Sequence, residues 1–311
     1  MRIVFMGSGS FAIPSLEALL DAGHDVAAAV TQPDKEKGRG RDLAPPPVKP
    51  VALARGVPVL QPRRVKLPEA QDELRRLAPE MQVVVAYGQI LPRTVIDLAP
   101  RGTINVHASL LPAYRGAAPV QWAIVNGEPE TGVTTMMIDE GLDTGPTLLA
   151  RKTPIGADET APELEARLAR LGAELLLETI DGLVRGTVAP TPQDHARATL
   201  APIIRKEDGR LDWRQPARAL ECRVRGFHPW PGTTAQLEGK TLKILRARAA
   251  SESGGSEAPG TLVAIDRDGL VVACGDASRL RILEVQPESR KAMPASAFAA
   301  GARLAPGMQL G

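Results

Sequence analysis

A chain of 311 residues is long enough for one large domain and a second, smaller one, each burying its own core. Its 43% hydrophobic and 24% charged residues are ordinary for a globular protein, and a formal net charge of +2 excludes global polybasic character. Cys222 and Cys274 fall in no paired-ligand pattern, no apolar run reaches the ~18 residues of a membrane span, and the opening Met1–Gly7 is too quickly broken by Gly and Ser for a signal peptide; a reduced cytoplasmic protein, off the membrane, is expected.

Ile3–Met6 reads as a buried strand, Ser8-Gly-Ser10 as a turn, and Leu16, Leu19 and Leu20 as one helix face ending at Gly23. With a second strand over Val26–Val30 this is a βαβ unit, which implies a parallel sheet. Gly7-Ser-Gly9-Ser-Phe-Ala12 fits the G-x-G-x-x-A dinucleotide fingerprint, so an NAD-dependent enzyme is one alternative. The fingerprint also wants an acidic residue closing the second strand; Thr31-Gln32-Pro33 stands there instead, which favours a tight turn without a cofactor.

Residues 33–50 lack apolar periodicity, and their Gly and Pro content predicts a mobile loop. Lys35, Lys37, Arg39, Arg41 and Lys49 outnumber its acids, which fits either a solvated surface loop or a phosphate-contacting one. A short helix is expected over Val48–Arg55, a strand over Val57–Leu60, a helix over Pro68–Leu77 and a buried strand over Met81–Ala86. Further on come a helix opened by Pro119, a strand over Thr147–Arg151 and a long helix over Ala161–Leu183. A proline-stiffened linker over 190–207 separates a first domain, 1–189, from a last one, 208–311. Short runs at Thr241–Leu245, Gly260–Ile265, Leu270–Ala273 and Leu280–Val285 predict a small C-terminal β-barrel. Residues 208–311 carry 15 Lys and Arg against 11 Asp and Glu, a mild basic excess compatible with a polyanion. His24, His195 and His228 have no metal-like spacing, and no metal is expected.

The chemistry-bearing stretch is Gly102–Pro112. Thr103, Ile104 and Val106 predict a strand, and Asn105 and His107, two residues apart, share one face of it. Asp143 sits in a Gly-bracketed loop after the β-rich run Val133–Ile138, and two strand ends would bring it to them. An amide N–H and an imidazolium can donate to a developing oxyanion. A carboxylate beside the imidazole favours its charged form and can take a proton from an attacking ammonium. That set suits acyl transfer to an amine without a protein nucleophile. Ser109 lacks the G-x-S-x-G setting of one.

Asn105-Val-His107-Ala-Ser-Leu-Leu-Pro112, Tyr114-Arg-Gly-Ala-Ala-Pro119, Thr131-Gly-Val133 and Gly141-Leu-Asp-Thr-Gly145 stand in the order found in the folate-dependent formyltransferases. The chain resembles that family over nearly its whole length. The resemblance implies a Rossmann-like α/β fold, a mostly parallel sheet with helices on both faces, plus an OB-like C-terminal barrel. It implies transfer of the formyl group of 10-formyl-tetrahydrofolate to the methionine amino group of charged initiator tRNA, by a monomer. Asn105, His107 and Asp143 would be catalytic. Ser109, Leu110, Leu111 and Pro112, with Tyr87, Gly88, Gln89, Ile90 and Leu91, would hold the folate. Lys35, Lys37, Arg39 and Arg41 would meet the tRNA acceptor stem, Arg39 most tellingly, and the C-terminal barrel would bind tRNA as well. Formyl transfer to a purine ribonucleotide or an amino sugar nucleotide would use the same trio. A nonenzymatic RNA-binding module would leave the trio unexplained.

Overall fold

The computed structural model describes residues 1–37, 42–250 and 254–311, and the chain divides into two compact units. The first comprises residues 1–117, 130–154 and 165–201; the second comprises 118–129, 155–164 and 202–311.

Unit 1 is built on a seven-stranded sheet. Its strands are β1 (Arg2–Gly7), β2 (Asp25–Val30), β5 (Val59–Leu60), β6 (Met81–Val85), β7 (Thr103–His107), β9 (Glu130–Met137) and β10 (Thr147–Pro154), in the order β10-β9-β7-β6-β1-β2-β5. The five from β7 to β5 run parallel, joined by helical crossovers, and β9 and β10 add an antiparallel edge. Central β1 is buried from Ile3 onward and β6 throughout, as strands covered on both faces must be. The one polar residue of β6, Gln82, donates to the Val95 carbonyl at 2.7 Å and to Thr103 Oγ1 at 2.9 Å.

Helices cover both faces. On one face Val4, Met6, Val30 and Val84 pack with Leu74 of α3 (Pro68–Arg76) and with Val95 and Ile96 of α4 (Arg93–Ile96). On the other, the long α6 (Ala161–Arg185) crosses β7 and β9 so closely that a Cβ on Gly172 would stand 2.8 Å from Val106 Cγ1. Only glycine fits there. Val106 therefore faces α6, and Asn105 and His107 face the opposite side. The remaining helices of this unit are α1 (Ile13–Asp21) and α2 (Val48–Ala54).

Two short pairs complete unit 1. The basic segment, read from sequence as a loop, forms a hairpin of β3 (Lys35–Lys37) and β4 (Asp42–Ala44). Its tip, including Arg39 and Arg41, lies outside the described residues. The run expected to be linker packs into unit 1 as far as residue 201: β11 (Leu200–Ala201) pairs in parallel with β8 (Arg115–Gly116), and Thr191 and Thr147 exchange two backbone hydrogen bonds, of 2.8 and 2.9 Å.

Unit 2 holds an antiparallel sheet of β12 (Thr233–Leu237), β13 (Lys240–Ala249), β14 (Leu262–Asp266), β15 (Gly269–Ala273) and β16 (Arg279–Pro287), in the order β12-β13-β16-β15-β14, with β17 (Met293–Pro294) on β16. Residues 307–311 close it. Gly311 exchanges hydrogen bonds with Gln236 on β12, while Gly307 and Met308 bond Leu262 on β14. The edges so joined make the sheet barrel-like. Its interior is filled by Leu220 and Val224 of α7 (Ala217–Gly226), Ala295 and Ala299 of α8 (Ala295–Ala302), Trp213 and the inward residues of the strands. Helix α5 (Pro119–Val125) belongs to this unit, and its Trp122 meets Phe227 edge-on, with ring centroids 5.7 Å apart.

Candidate active site

Asn105 and His107 occupy the last three positions of β7 together with Val106. Asp143 reaches them by a route the sequence did not suggest. β9 is antiparallel to β7, with Met137 opposite Ile104 and Thr134 opposite His107, so the end of β9 lies beside the start of β7. The loop over 138–146 must double back to bring Asp143 up. It does so on its glycines and an aspartate turn: Asp139 Oδ1 accepts from Gly141 N at 3.0 Å and Thr144 Oγ1 at 2.7 Å, and a Cβ on Gly145 would collide with the Met137 carbonyl. Asp143 itself stands in the left-handed region at φ +51°, rare for a residue with a side chain.

The Asp143 carboxylate is mostly buried. Its Oδ2 accepts the Gly116 N–H at 2.9 Å and lies 3.7 Å from His107 Nδ1, while Asn105 Nδ2 is 3.5 Å from Oδ1. His107 Nε2 is 2.9 Å from the Tyr114 carbonyl. A carbonyl only accepts, so Nε2 carries a proton there. That leaves Nδ1 as the ring nitrogen turned to the carboxylate. An amide, an imidazole and a carboxylate thus meet in one group.

Residues that the sequence did not single out hold the group. Gln193 Nε2 donates to the Asp143 carbonyl at 2.8 Å and the Gly145 carbonyl at 2.7 Å. Its Oε1 accepts from Arg115 Nε at 3.2 Å and Nη2 at 2.6 Å, and Arg115 Nη2 also lies 3.2 Å from His195 Nδ1. Thr199 binds the backbone on either side, its carbonyl to Arg115 N at 2.9 Å and its hydroxyl to Tyr114 N at 2.8 Å. No local signal announces these partners, because each is separated from its mate by about fifty positions or more.

The segment expected to hold folate divides by role. Tyr87 and Leu91 turn their side chains into the core beside Val4, Met6 and Val95, and burial pushes the Tyr87 phenol up to about 12. Gln89 is engaged with Val65 N at 2.8 Å and the Pro62 carbonyl at 3.2 Å. Gly88 is left-handed at φ +83°, and Ile90 is 91% exposed. Among the described residues, the backbone N–H groups of residues 88–91 make no hydrogen bond. Ser109 is fully buried, its hydroxyl donating to the Ala113 carbonyl at 2.6 Å, a structural role rather than a nucleophile's. Thr134 Oγ1 donates to the Ser109 carbonyl and accepts from Leu111 N, which fixes the course of Ser109–Pro112, and the Leu110 side chain lies over Gly132.

The glycine turn after β1 is closed to a pyrophosphate. Ser8 N and Gly9 N point at the Ala86 carbonyl, at 3.2 and 3.4 Å, and Ser8 Oγ accepts from Gln32 N at 2.9 Å. In a dinucleotide fold those N–H groups would face phosphate. At the root of the basic hairpin, Lys49 is held by Asp34 and Gln61, and Lys35 is exposed.

Residues 1–180 match the family described as formyl transferase, and residues 203–303 match the formyl transferase C-terminal domain. The chain belongs to the formyl transferase family. A methionyl-tRNA formyltransferase of Citrifermentans bemidjiense is 55% identical across all of this chain and 96% of its own length. One of Geobacter sulfurreducens is 51% identical across all of this chain and 97% of its own. Among solved structures, the sugar 3N-formyl transferase WlaRD, crystallised with dTDP and 5-N-formyl-THF, shares the fold at a TM-score of 0.69 and 18% identity, over 94% of this chain and 99% of its own. Among the described residues, no helix is long and apolar enough to cross a membrane.

Proposed function

We propose that the chain transfers the formyl group of 10-formyl-tetrahydrofolate to the free amino group of methionine on charged initiator tRNA. The observation that carries this reading is the meeting of Asn105, His107 and Asp143 in a chain more than half identical, end to end, to a methionyl-tRNA formyltransferase.

The folate donor supplies an electrophilic formyl carbon and a nitrogen leaving group. The chain's own groups do the rest. Asn105 Nδ2 and a protonated His107 Nδ1 offer N–H donors to the formyl oxygen as negative charge builds on it. Asp143 has lone pairs left after binding Gly116 N–H, and receives the proton that the methionyl ammonium must lose before its nitrogen can attack. When the bond from the formyl carbon to the folate nitrogen then breaks, the second proton shed by the attacking nitrogen goes to that leaving nitrogen. The fit to a pterin rests on the segment after β6. Tyr87 and Leu91 anchor it in the core, and the N–H groups of 88–91 remain unpaired among the described residues, a ready edge for a heterocycle that both donates and accepts. The rigid course of Ser109–Pro112 supplies a second wall in this reading. Lys35, Lys37, Arg39 and Arg41 contact tRNA phosphates, and the C-terminal barrel adds the remaining tRNA contacts.

The test is a formylation assay of the purified chain with 10-formyl-tetrahydrofolate and, in parallel, charged initiator tRNA, an amino sugar nucleotide and a purine ribonucleotide. Formylation of the charged tRNA alone is expected. A comparable kcat/KM on either nucleotide overturns the assignment.

A further inference from the structure

Gln193 lies between the two family matches, which end at residue 180 and resume at 203. It is only 8% exposed, and every hydrogen-bonding position of its amide is engaged: both donors on the carbonyls of Asp143 and Gly145, both acceptor sites on Arg115. Arg115 is just as buried. The carbonyls that Gln193 grips are those of the left-handed Asp143 and of Gly145 two residues on, the bend that turns the Asp143 carboxylate toward Asn105 and His107. A residue with a Cβ keeps such a backbone only where its surroundings enforce it. Gly116 N–H enforces it from the carboxylate side, and Gln193 from the carbonyl side. The strand exchange of Thr191 with Thr147 and the bond from Arg115 N to Thr199 O fix both flanks of Gln193 to the two loops it joins.

We infer that Gln193 is a positioning residue for formyl transfer, setting the Asp143 carboxylate through the backbone of residues 143–145. The inference rests on the reading of Asp143 as catalytic. The connector between the matched regions is then a working part of the catalytic unit, and Arg115 locks its orientation.

The test uses the full chain, with kcat and KM measured for both substrates. Gln193→Ala should lower kcat roughly 10- to 50-fold, with each KM within about twofold, the pattern of a lost transition-state interaction. Gln193→Glu keeps both acceptors for Arg115 but replaces the donors with an oxygen facing two carbonyls. It should fold as wild type by circular dichroism and lose kcat at least as severely, so it carries the test if Gln193→Ala does not fold. Adding Gln193→Ala or Gln193→Glu to Asp143→Ala should cost nothing further, because both act through one carboxylate. A Gln193→Glu kcat within about twofold of wild type, or a double variant that loses the product of the two single effects, overturns the inference. If Asp143→Ala alone keeps wild-type kcat, the catalytic reading of Asp143 falls, and the inference with it.

Discussion

Lys49 reaches across the root of the β3–β4 hairpin and bonds both carboxylate oxygens of Asp34, at 2.9 Å to Oδ1 and 2.8 Å to Oδ2, while Gln61 Nε2 supports Oδ1 at 2.8 Å. The lysine that closes the basic segment therefore serves its architecture.

The clamp predicts a separation of binding from chemistry. Lys49→Met and Asp34→Asn should each weaken affinity for charged initiator tRNA about three- to tenfold, because fewer molecules present the hairpin in a competent form. Turnover on a small amine acceptor should not change. Hydrogen bonds from Lys49, then from Gln61, hold the Asp34 carboxyl below its ordinary range. Its folded value lies under its unfolded one, so the clamp is whole above the usual carboxylate range and is lost as pH falls through the depressed value. Carboxyl NMR of Asp34 checks the direction. Titration at or above the model-peptide value would show that the clamp does not form in solution.

Asn105→Ala, His107→Ala and Asp143→Ala should each lower kcat about 10²-fold or more while leaving the circular dichroism spectrum unchanged, the scale of removing one oxyanion donor for Asn105 and His107 and of losing a positioned general base for Asp143. A variant with near-normal turnover takes that residue out of the chemistry.

Arg39, in the tip outside the described residues, should matter more than its neighbours. Arg39→Ala should sharply reduce kcat/KM for charged initiator tRNA and spare folate affinity. Arg39→Lys should restore only part, since a point charge cannot copy a guanidinium fork, and Arg41→Ala should do less harm. Affinity for the tRNA should also fall linearly with the logarithm of salt concentration. Wild-type formylation by Arg39→Ala would mark the tip as a solvated surface feature, and a flat salt response would remove the RNA assignment.

Tyr87 gives a stability prediction. Its hydroxyl is buried with no hydrogen-bond partner among the described residues. Tyr87→Phe should therefore stabilise the chain by about 1 kcal/mol at neutral pH, read by urea unfolding. The phenol is raised from 10.0 to about 12 by burial, so wild type should lose stability as pH rises from the first value through the second. Tyr87→Phe should lack that alkaline arm. A destabilised variant would mean that the hydroxyl has a partner.

The α/β order of the chain was legible because its signals are local. β-branched runs mark β1, β6 and β7, and leucines at helical spacing mark α6, which runs two residues past its expected end to Arg185, before the left-handed Gly186. Asn105 and His107 were legible as a pair because a strand's period of two puts them on one face. The path of Asp143 was not, because antiparallel pairing of β9 is a choice made by the whole sheet. Tyr87 shows the same limit. The family resemblance put its segment at the folate, and no local pattern showed that its ring packs into the core. In the barrel, β12 and α8 escaped notice, the one a short Thr-Thr-Ala-Gln-Leu run, the other nearly all alanine with little amphipathic contrast. Arg115 stood in a motif of the family resemblance but its role did not show, and Gln193 carried no signal at all, since a buried polar pair is defined by partners that only the fold supplies.

Unit 2 takes α5 and residues 155–164 from the middle of the sequence as well as the run from 202 onward. Trp122 of α5 packs on Phe227 and donates to the Pro202 carbonyl at 2.8 Å, and Arg225 bonds the Glu159 carbonyl at 2.8 Å. The C-terminal unit is thus no detachable cassette. A chimera spliced at residue 202 would join a foreign barrel to an α5 shaped for this one, leaving Trp122 and Val125 against mismatched partners. Exchange of this unit between related chains by recombination would therefore need three separate segments, with five junctions, to move together.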